Sequence, residues 1–188
     1  GVDTIVLLPG VAMTLTAAQA LKSSVSSTGQ TADLSSAGAI TLLAQQASDL
    51  STIRLNASSA VQLLDGQDYT LTSAQAAQAT VVKSDGKVST KAVLTSTGAL
   101  RVLALPGSDL SGLTLDGGDS VILASGQKYT LSSAQARIAK VVNGAIASAV
   151  GDLRTAGAVK VVASGTTEDL SDISLDASDT IVLTDKVN

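Results

Sequence analysis

The chain of 188 residues has no cysteine, no histidine, no tryptophan and no phenylalanine, and its aromatics are two tyrosines. Without cysteine there is no disulfide scaffold and no thiolate for a metal or a covalent intermediate. Without histidine there is no imidazole ligand and no histidine-based triad. Twelve Lys and Arg stand against 16 acids, a net charge of -4, and the bases are scattered. That balance argues against nucleic acid as a partner and gives no support to phosphate or membrane-surface binding. No apolar run approaches the ~20 residues of a membrane helix, so no membrane insertion is expected. Gly1 leads at once into a charged, strand-like stretch with no signal-peptide pattern. The expectation is a fragment of a longer protein.

What is present is aliphatic and turn-forming. Apolar residues make up 45% of the chain, mostly Ala, Val, Leu and Ile, and every acid except Glu168 is Asp. Asp competes with the helix backbone and favours turns and caps, while Val, Ile and Thr favour strands.

The chain also repeats. Leu50-Ser51, Leu110-Ser111 and Leu170-Ser171 recur at one constant interval. Set against 110–142 without a gap, residues 50–82 match at 17 of 33 positions, among them Leu63/Leu123, Gly66/Gly126, Tyr69/Tyr129 and Gln75/Gln135. A later block recurs as Gly38-Ala39-Ile40, Gly98-Ala99-Leu100 and Gly157-Ala158-Val159, and Thr4-Ile5-Val6-Leu7 returns as Thr180-Ile181-Val182-Leu183. The expected units are 1–49, 50–109, 110–169 and a partial 170–188.

Within a unit the apolar residues alternate with period two, which predicts short strands at 53–55, 61–63, 69–71, 80–83, 91–95 and 99–105. Turns are expected at Pro9-Gly10, Asp65-Gly66 and Ser125-Gly126. Thr16-Ala-Ala-Gln19, Thr72-Ser-Ala-Gln75 and Ser132-Ser-Ala-Gln135 fit the S/T-x-x-E/Q capping box and predict one short helix per unit. So short a helix must dock on the strands to persist.

The candidate chemistry lies in Asp-rich loops. Asp109, Asp116, Asp119, Asp169, Asp172, Asp176 and Asp179 are the candidate calcium ligands, because hard cations take several oxygens from one loop. No calcium nonapeptide or EF-hand pattern is present, so calcium is not required, and the competing reading is solvated turn Asp with local hydrogen bonds. A paired-carboxylate glycosidase would lack an aromatic platform. Asn56-Ala57-Ser58 matches a glycosylation sequon.

Leu50-Ser-Thr-Ile53-Arg-Leu55 and its counterparts at 110–115 and 170–175 resemble the L-x-x-L-x-L element of leucine-rich repeats. They depart from it in the Asn slot, held by Ser58, Gly118 and Ser178, and in the doubled period. The "DTIVL", "YTLTSAQA" and "AGAVKVVASGTTEDLSDISL" segments resemble tandem repeats of large secreted bacterial surface proteins, S-layer-like proteins and adhesins exported by type I systems among them. That resemblance implies an extracellular, cell-surface, non-catalytic, calcium-tolerant structural role and transfers no functional residue.

The expected fold is therefore mainly β. It is a parallel β-solenoid or β-helix-like stack of ~60-residue repeats, each with about six short strands and one capped helix, in two coils of roughly 30 residues. A row of separately closed β-rich modules is the alternative. The expected partners are neighbouring repeats of the same chain, with self-association or a surface partner beyond them. Two further functions stay open: an adhesion module contacting glycan or a surface protein through the Asp-rich loops, and a β-helical polysaccharide-active enzyme or phage tailspike domain.

Overall fold

The computed structural model describes residues 4–165 and 167–184. Over these residues the fold is mainly β. In chain order the elements are β1 (Ile5–Leu7), β2 (Met13–Thr16), α1 (Ala17–Ala20), β3 (Ser23–Val25), β4 (Ile40–Leu43), β5 (Ser48–Asp49), β6 (Ala60–Leu64) and β7 (Tyr69–Thr72). There follow α2 (Ser73–Gln78), β8 (Ala79–Val82), β9 (Leu100–Leu103), β10 (Ser120–Ala124), β11 (Tyr129–Ser132), α3 (Ser133–Ile138), β12 (Ala139–Asn143), β13 (Ile146–Ala147), β14 (Val159–Ala163) and β15 (Thr180–Leu183).

The strands form four sheets, with orders β1-β3, β2-β4-β6-β8, β13-β12-β10-β9-β7-β5 and β11-β14-β15. Every strand pair is parallel except the β12–β13 hairpin. The interior sheets follow one rule. In β2-β4-β6-β8, Thr41 pairs with Ala60 and Val61 with Ala79. In the next sheet Arg101 pairs with Ser120 and Val121 with Ala139, the same register one unit later.

Membership of the sheets is interleaved along the chain. After β6 the chain lays down β7 in the following sheet, turns through α2, and only then adds β8 to the preceding one. The same order recurs at β10, β11, α3 and β12, and at β1, β2, α1 and β3. The pairing steps are uneven, contrary to the expected division of each unit into two similar coils. Tyr69 pairs with Leu100 and Val61 with Ala79, although one helix and one strand of the other sheet lie between the partners in each case.

The alternation of the sequence becomes an alternation of burial. Val61, Leu63, Leu71, Val81, Val102, Val121, Leu123, Leu131 and Val161 are fully buried, and they belong to one aliphatic cluster that runs from Leu7 to Ile173. Strands stand where expected at 61–63, 69–71, 80–83 and 99–105, but two expected strands do not form. Segment 53–55 contributes one isolated bridge, Asp33 to Arg54, because Ile53 N–H closes a turn on Leu50 C=O (3.0 Å). Segment 91–95 likewise has one bridge, Val93 to Thr114, because Ala92 sits at φ 64 and breaks the extended run. Ala32 takes the same left-handed conformation at φ 61.

All three expected turns form, with Gly10, Gly66 and Gly126 at φ 73, 67 and 71, where a side chain would be strained. The recurring Gly38, Gly98 and Gly157 press on these turns. A Cβ at Gly38 would lie 2.6 Å from Gly10 O, and one at Gly157 2.6 Å from Gln127 O. Glycine there lets one stretch of backbone touch the turn of its neighbour.

Candidate functional site

Each helix begins with the expected box. Thr16, Thr72 and Ser132 accept the N–H of Gln19, Gln75 and Gln135 at 3.2–3.3 Å, and each Gln Oε1 accepts the cap residue's N–H at 2.8–2.9 Å. The glutamines of α2 and α3 do more. Gln75 Nε2 donates to Leu50 O (2.7 Å) and Ile53 O (2.9 Å), and Gln135 Nε2 donates to Leu110 O (2.5 Å) and Leu113 O (2.7 Å). One buried amide thus caps its helix and bonds two carbonyls of the preceding L-x-x-L turn. The first, Leu50 O or Leu110 O, also accepts the turn's own N–H, and the second, Ile53 O or Leu113 O, depends on the amide, since a buried carbonyl is costly to leave unpaired. The sequence held a clue. Glu would serve the box equally well, but only Gln carries the two donors, and Gln fills all three positions.

The tyrosines are structural too. Tyr69 OH accepts Leu64 N–H (3.0 Å) and donates to Ala44 O (3.1 Å). Tyr129 OH accepts Ala124 N–H (2.9 Å) and donates to Ala124 O (3.4 Å). Both rings are buried, and burial raises both phenol pKa values.

The candidate calcium ligands are mostly engaged by their own turns. Asp109 Oδ1 accepts from Ser111 N–H (2.9 Å) and hydroxyl (2.6 Å), as Asp49 does from Ser51. Asp169 accepts Ser171 N–H (2.9 Å), Asp116 accepts Gly118 N–H (2.7 Å), and Asp176 accepts Ser178 N–H (2.7 Å) and hydroxyl (2.6 Å). The Ser171 bonds hold the Asp169 carboxyl below its ordinary range, and the Ser178 hydroxyl does the same for Asp176.

Asp119 and Asp179 work across strands. Asp119 takes Leu100 N–H (3.0 Å) and Asp116 N–H (2.9 Å), and Asp179 takes Val159 N–H (2.8 Å) and Asp176 N–H (2.7 Å). Asp119 is 5% exposed. Burial raises its pKa against the lowering effect of the two N–H groups. In the earlier unit Ser59 holds Ile40 N–H (3.2 Å). There Asn56 receives the Ser58 and Ser59 hydroxyls and donates to Ala37 O (2.9 Å) and Gly38 O (3.0 Å). The sequon amide is thereby occupied by backbone.

Asp172 pairs with Arg137, whose Nε donates to both carboxylate oxygens (2.9 and 3.2 Å) while its Nη2 donates to Asp169 O. The structure therefore brings together Asp116 with Asp119, Asp176 with Asp179, and Asp169 with Asp172 around Arg137, and leaves Asp109 with its own turn. Among the described residues no group of three or more His, Cys, Asp or Glu is placed to hold a metal ion.

The concave features recur with the repeat. A groove of about 470 Å³ lies beside α2, lined by Ile53, Leu55, Thr72, Gln75, Gln78 and Leu105. A second of about 470 Å³ lies beside α3, lined by Leu113, Leu115, Ser132, Gln135, Ile138 and Glu168. Each contains a buried side-chain oxygen without a hydrogen-bond partner, Gln78 Oε1 in the first and Glu168 Oε2 in the second. Glu168 Oε1 accepts Gly165 N–H (2.8 Å), and its pKa is lowered, chiefly by the nearby Ser133 hydroxyl.

Comparison with protein-family models, with curated proteins and with solved structures gave no match. Among the described residues no helix is long and apolar enough to cross a membrane.

Proposed function

We propose that the chain is a non-catalytic structural repeat module, a spacer or lattice element of an extracellular bacterial surface or matrix protein. Its repeat units stack in the manner of a parallel β-solenoid. The observation that carries this reading is the recurrence, from unit to unit, of polar side chains spent on backbone. Gln75 and Gln135 serve the preceding turns, Tyr69 and Tyr129 pin strand ends, and Asp49, Asp109 and Asp169 close D-x-S turns. Parallel pairing in repeated register and one aliphatic core shared along the chain support the same reading, since repeat arrays gain stability from nearest-neighbour contacts. In this reading the neighbouring repeats are the principal partners and calcium is not required.

Hydrogen exchange during urea unfolding tests the stacking. The expected result is one cooperative transition shared by β6, β8, β10 and β12, with protection falling towards β1 and β15. Independent unfolding of 50–109 and 110–169 would reject the array in favour of separately closed modules. Equal thermal midpoints in calcium and in chelator are expected; a rise of many degrees with calcium would make the Asp loops a metal site.

The two equivalent grooves favour one second reading, an adhesion module that takes a repeated ligand once per unit. Binding of the chain to a glycan array, lost when Gln78 and Glu168 are both replaced by Ala, would select it. Turnover of acidic polysaccharide by the chain would overturn both readings.

A further inference from the structure

The last parallel strand of each of the two longest sheets is covered by its own returning chain. After β8, Val88 bridges Val82 in antiparallel sense, Ser89 N–H donates to Val81 O (2.8 Å), and Ser89 Oγ accepts Val81 N–H (2.8 Å). After β12, the strand β13 pairs Asn143 with Ile146 and Val142 with Ala147, and Ser148 repeats both bonds with Val141 (2.8 and 3.0 Å). These segments occupy N–H and C=O groups that an edge strand would otherwise offer to another chain.

The two hairpins turn differently. The first runs through Lys83-Ser84-Asp85-Gly86-Lys87. Gly86 N–H donates to Lys83 O (2.9 Å), and the Asp85 carboxylate is held by Lys87 through its N–H (3.0 Å) and its Nζ (2.9 Å). The second turns in two residues, Gly144-Ala145, with Gly144 at φ 61, and Asn143-Gly144 is the one Asn-Gly pair of the sequence. Asn143, Gly144 and Ala145 are exposed. Among the described residues the Gly144 N–H has no backbone acceptor, and a Cβ at Gly144 would meet nothing within 4 Å. The Asn143 side-chain carbonyl therefore has beside it an unengaged amide nitrogen in open space.

We propose that Asn143 is a site of spontaneous deamidation, and that its isoaspartyl product releases β13 from the edge of β12. The Gly144 nitrogen attacks Asn143 Cγ. The N–Cγ bond forms, Gly144 N gives up its proton, the Cγ–Nδ2 bond breaks, and Nδ2 leaves as ammonia with a proton from water. The product is a cyclic succinimide, which a second water opens. Attack at Cγ gives aspartate in a normal main chain; attack at the Asn143 main-chain carbonyl gives isoaspartate, in which the backbone runs through the side chain. Pairing with Ile146 holds Asn143 extended, so the ring closes from the frayed hairpin, and a two-residue edge strand frays readily. The isoaspartyl backbone is longer by one carbon. Loop length sets the register of a hairpin, so the Asn143–Ile146 and Val142–Ala147 pairs are lost together. Asp85-Gly86 is protected from the same reaction, because an ionised carboxylate is a poor electrophile and the Gly86 N–H is engaged. Asn56 is protected by its bonds to Ala37 O and Gly38 O. The reaction belongs to the hairpin and is independent of what the array binds or supports.

Peptide mass spectrometry of the whole chain, kept at mildly alkaline pH with and without urea, tests the chemistry. In the folded chain the amide-to-acid mass gain is expected at Asn143 and not at Asn56, with isoaspartate detected by enzymatic methylation. The folded rate should be about 10- to 100-fold below the rate in urea, the population of a frayed hairpin end. Slowing by more than about 1,000-fold would mean that Asn143 reacts only on global unfolding, and would overturn the proposal. So would equal conversion at Asn56 and Asn143 in the folded chain.

Hydrogen exchange tests the consequence. The Val141 and Ser148 N–H groups should exchange faster in the purified isoaspartyl chain than in the unmodified one. Asn143→Asp, which has the new charge on a normal backbone, should exchange as the unmodified chain does. Unchanged exchange in the isoaspartyl chain would overturn the release of β13, and equal loosening in Asn143→Asp would assign it to charge rather than to the lengthened backbone and overturn it as stated.

Discussion

β10 and β15 carry nearly the same apolar pattern, yet one lies in the core and the other at its edge. Between β9 and β12, Val121 and Leu123 are completely buried; in β15, which among the described strands pairs with β14 alone, Ile181 and Leu183 are 46% and 74% exposed. Gln135 and Gln19 make the same contrast. Both complete a capping box, but only Gln135 has a preceding L-x-x-L turn beneath it, and α3 has six residues where α1 has four. Local sequence in this chain selects the element, and the neighbouring unit decides whether that element contributes to stability.

That contrast can be broken most forcefully at the leucines. Leu123→Ala should cost about 2–5 kcal/mol in urea denaturation, the range for a fully packed leucine, and Leu183→Ala should stay within about 0.5 kcal/mol. Comparable losses at the two positions would mean that β15 is covered in solution. Next come the glutamines. Gln135→Ala strands the carbonyl of Leu113, while Leu110 O keeps the Leu113 N–H, and should cost about 1–3 kcal/mol, whereas Gln19→Ala loses only its half of the cap, under about 1 kcal/mol. Gln135→Glu sharpens the point, because it keeps the box and removes the donors; a Glu variant as stable as wild type would show that the carbonyls find other partners.

The tyrosines give a smaller difference. Tyr69→Phe leaves the C=O of buried Ala44 without its partner and should cost about 1–3 kcal/mol. Tyr129→Phe frees only groups of exposed Ala124 and should cost about 1 kcal/mol or less, by the same denaturation measurement.

The smallest effect is in pH dependence. Asp33, Asp152, Asp169 and Asp176 have lowered pKa values. Their contribution is complete above the unfolded carboxylate value of about 3.9 and is lost as pH falls through the lowered values. Asp119 has the opposite sign. Its raised pKa means that the folded chain holds the proton more tightly, so its share is present below about pH 3.9 and is lost as pH rises above it. Asp119→Asn removes this opposing slope, and the stability of the variant relative to wild type should climb as pH rises from about 4. A difference that does not change with pH would show that Asp119 titrates alike in both states.

How much of this was legible beforehand depended on the range of the interaction. The alternation at Val61/Leu63 and Val121/Leu123, the Gly66 and Gly126 turns and the three capping boxes are local, and each stood in the sequence. Segments 53–55 and 91–95 alternate just as well, but a turn closed at Leu50 and a left-handed Ala92 leave each with a single bridge. Nothing in a period-two pattern reports a backbone angle. The Asp loops were legible as loops, and the preference of Asp for turns pointed to their local hydrogen bonds. The work of the Gln75 and Gln135 amides and of the Tyr69 hydroxyl was hidden, because their acceptors lie 22–25 residues upstream. The Arg137–Asp172 pair was hidden for the same reason. It has no counterpart in the earlier unit, where Ala77 and Gly112 occupy those positions.

The interleaved strand order has a consequence for synthesis. As the chain emerges from its N-terminus, β6 and β10 each wait, half covered, until a strand of the following sheet (β7 or β11) and a helix have been made. No sheet can close before its successor has been started. A growing chain therefore always carries one unfinished edge at its leading end, and that edge advances by one sheet with every repeat unit added, like the running stitch of a hem. Order of assembly is thereby tied to order of translation, and the polypeptide is never required to choose among its near-identical segments all at once.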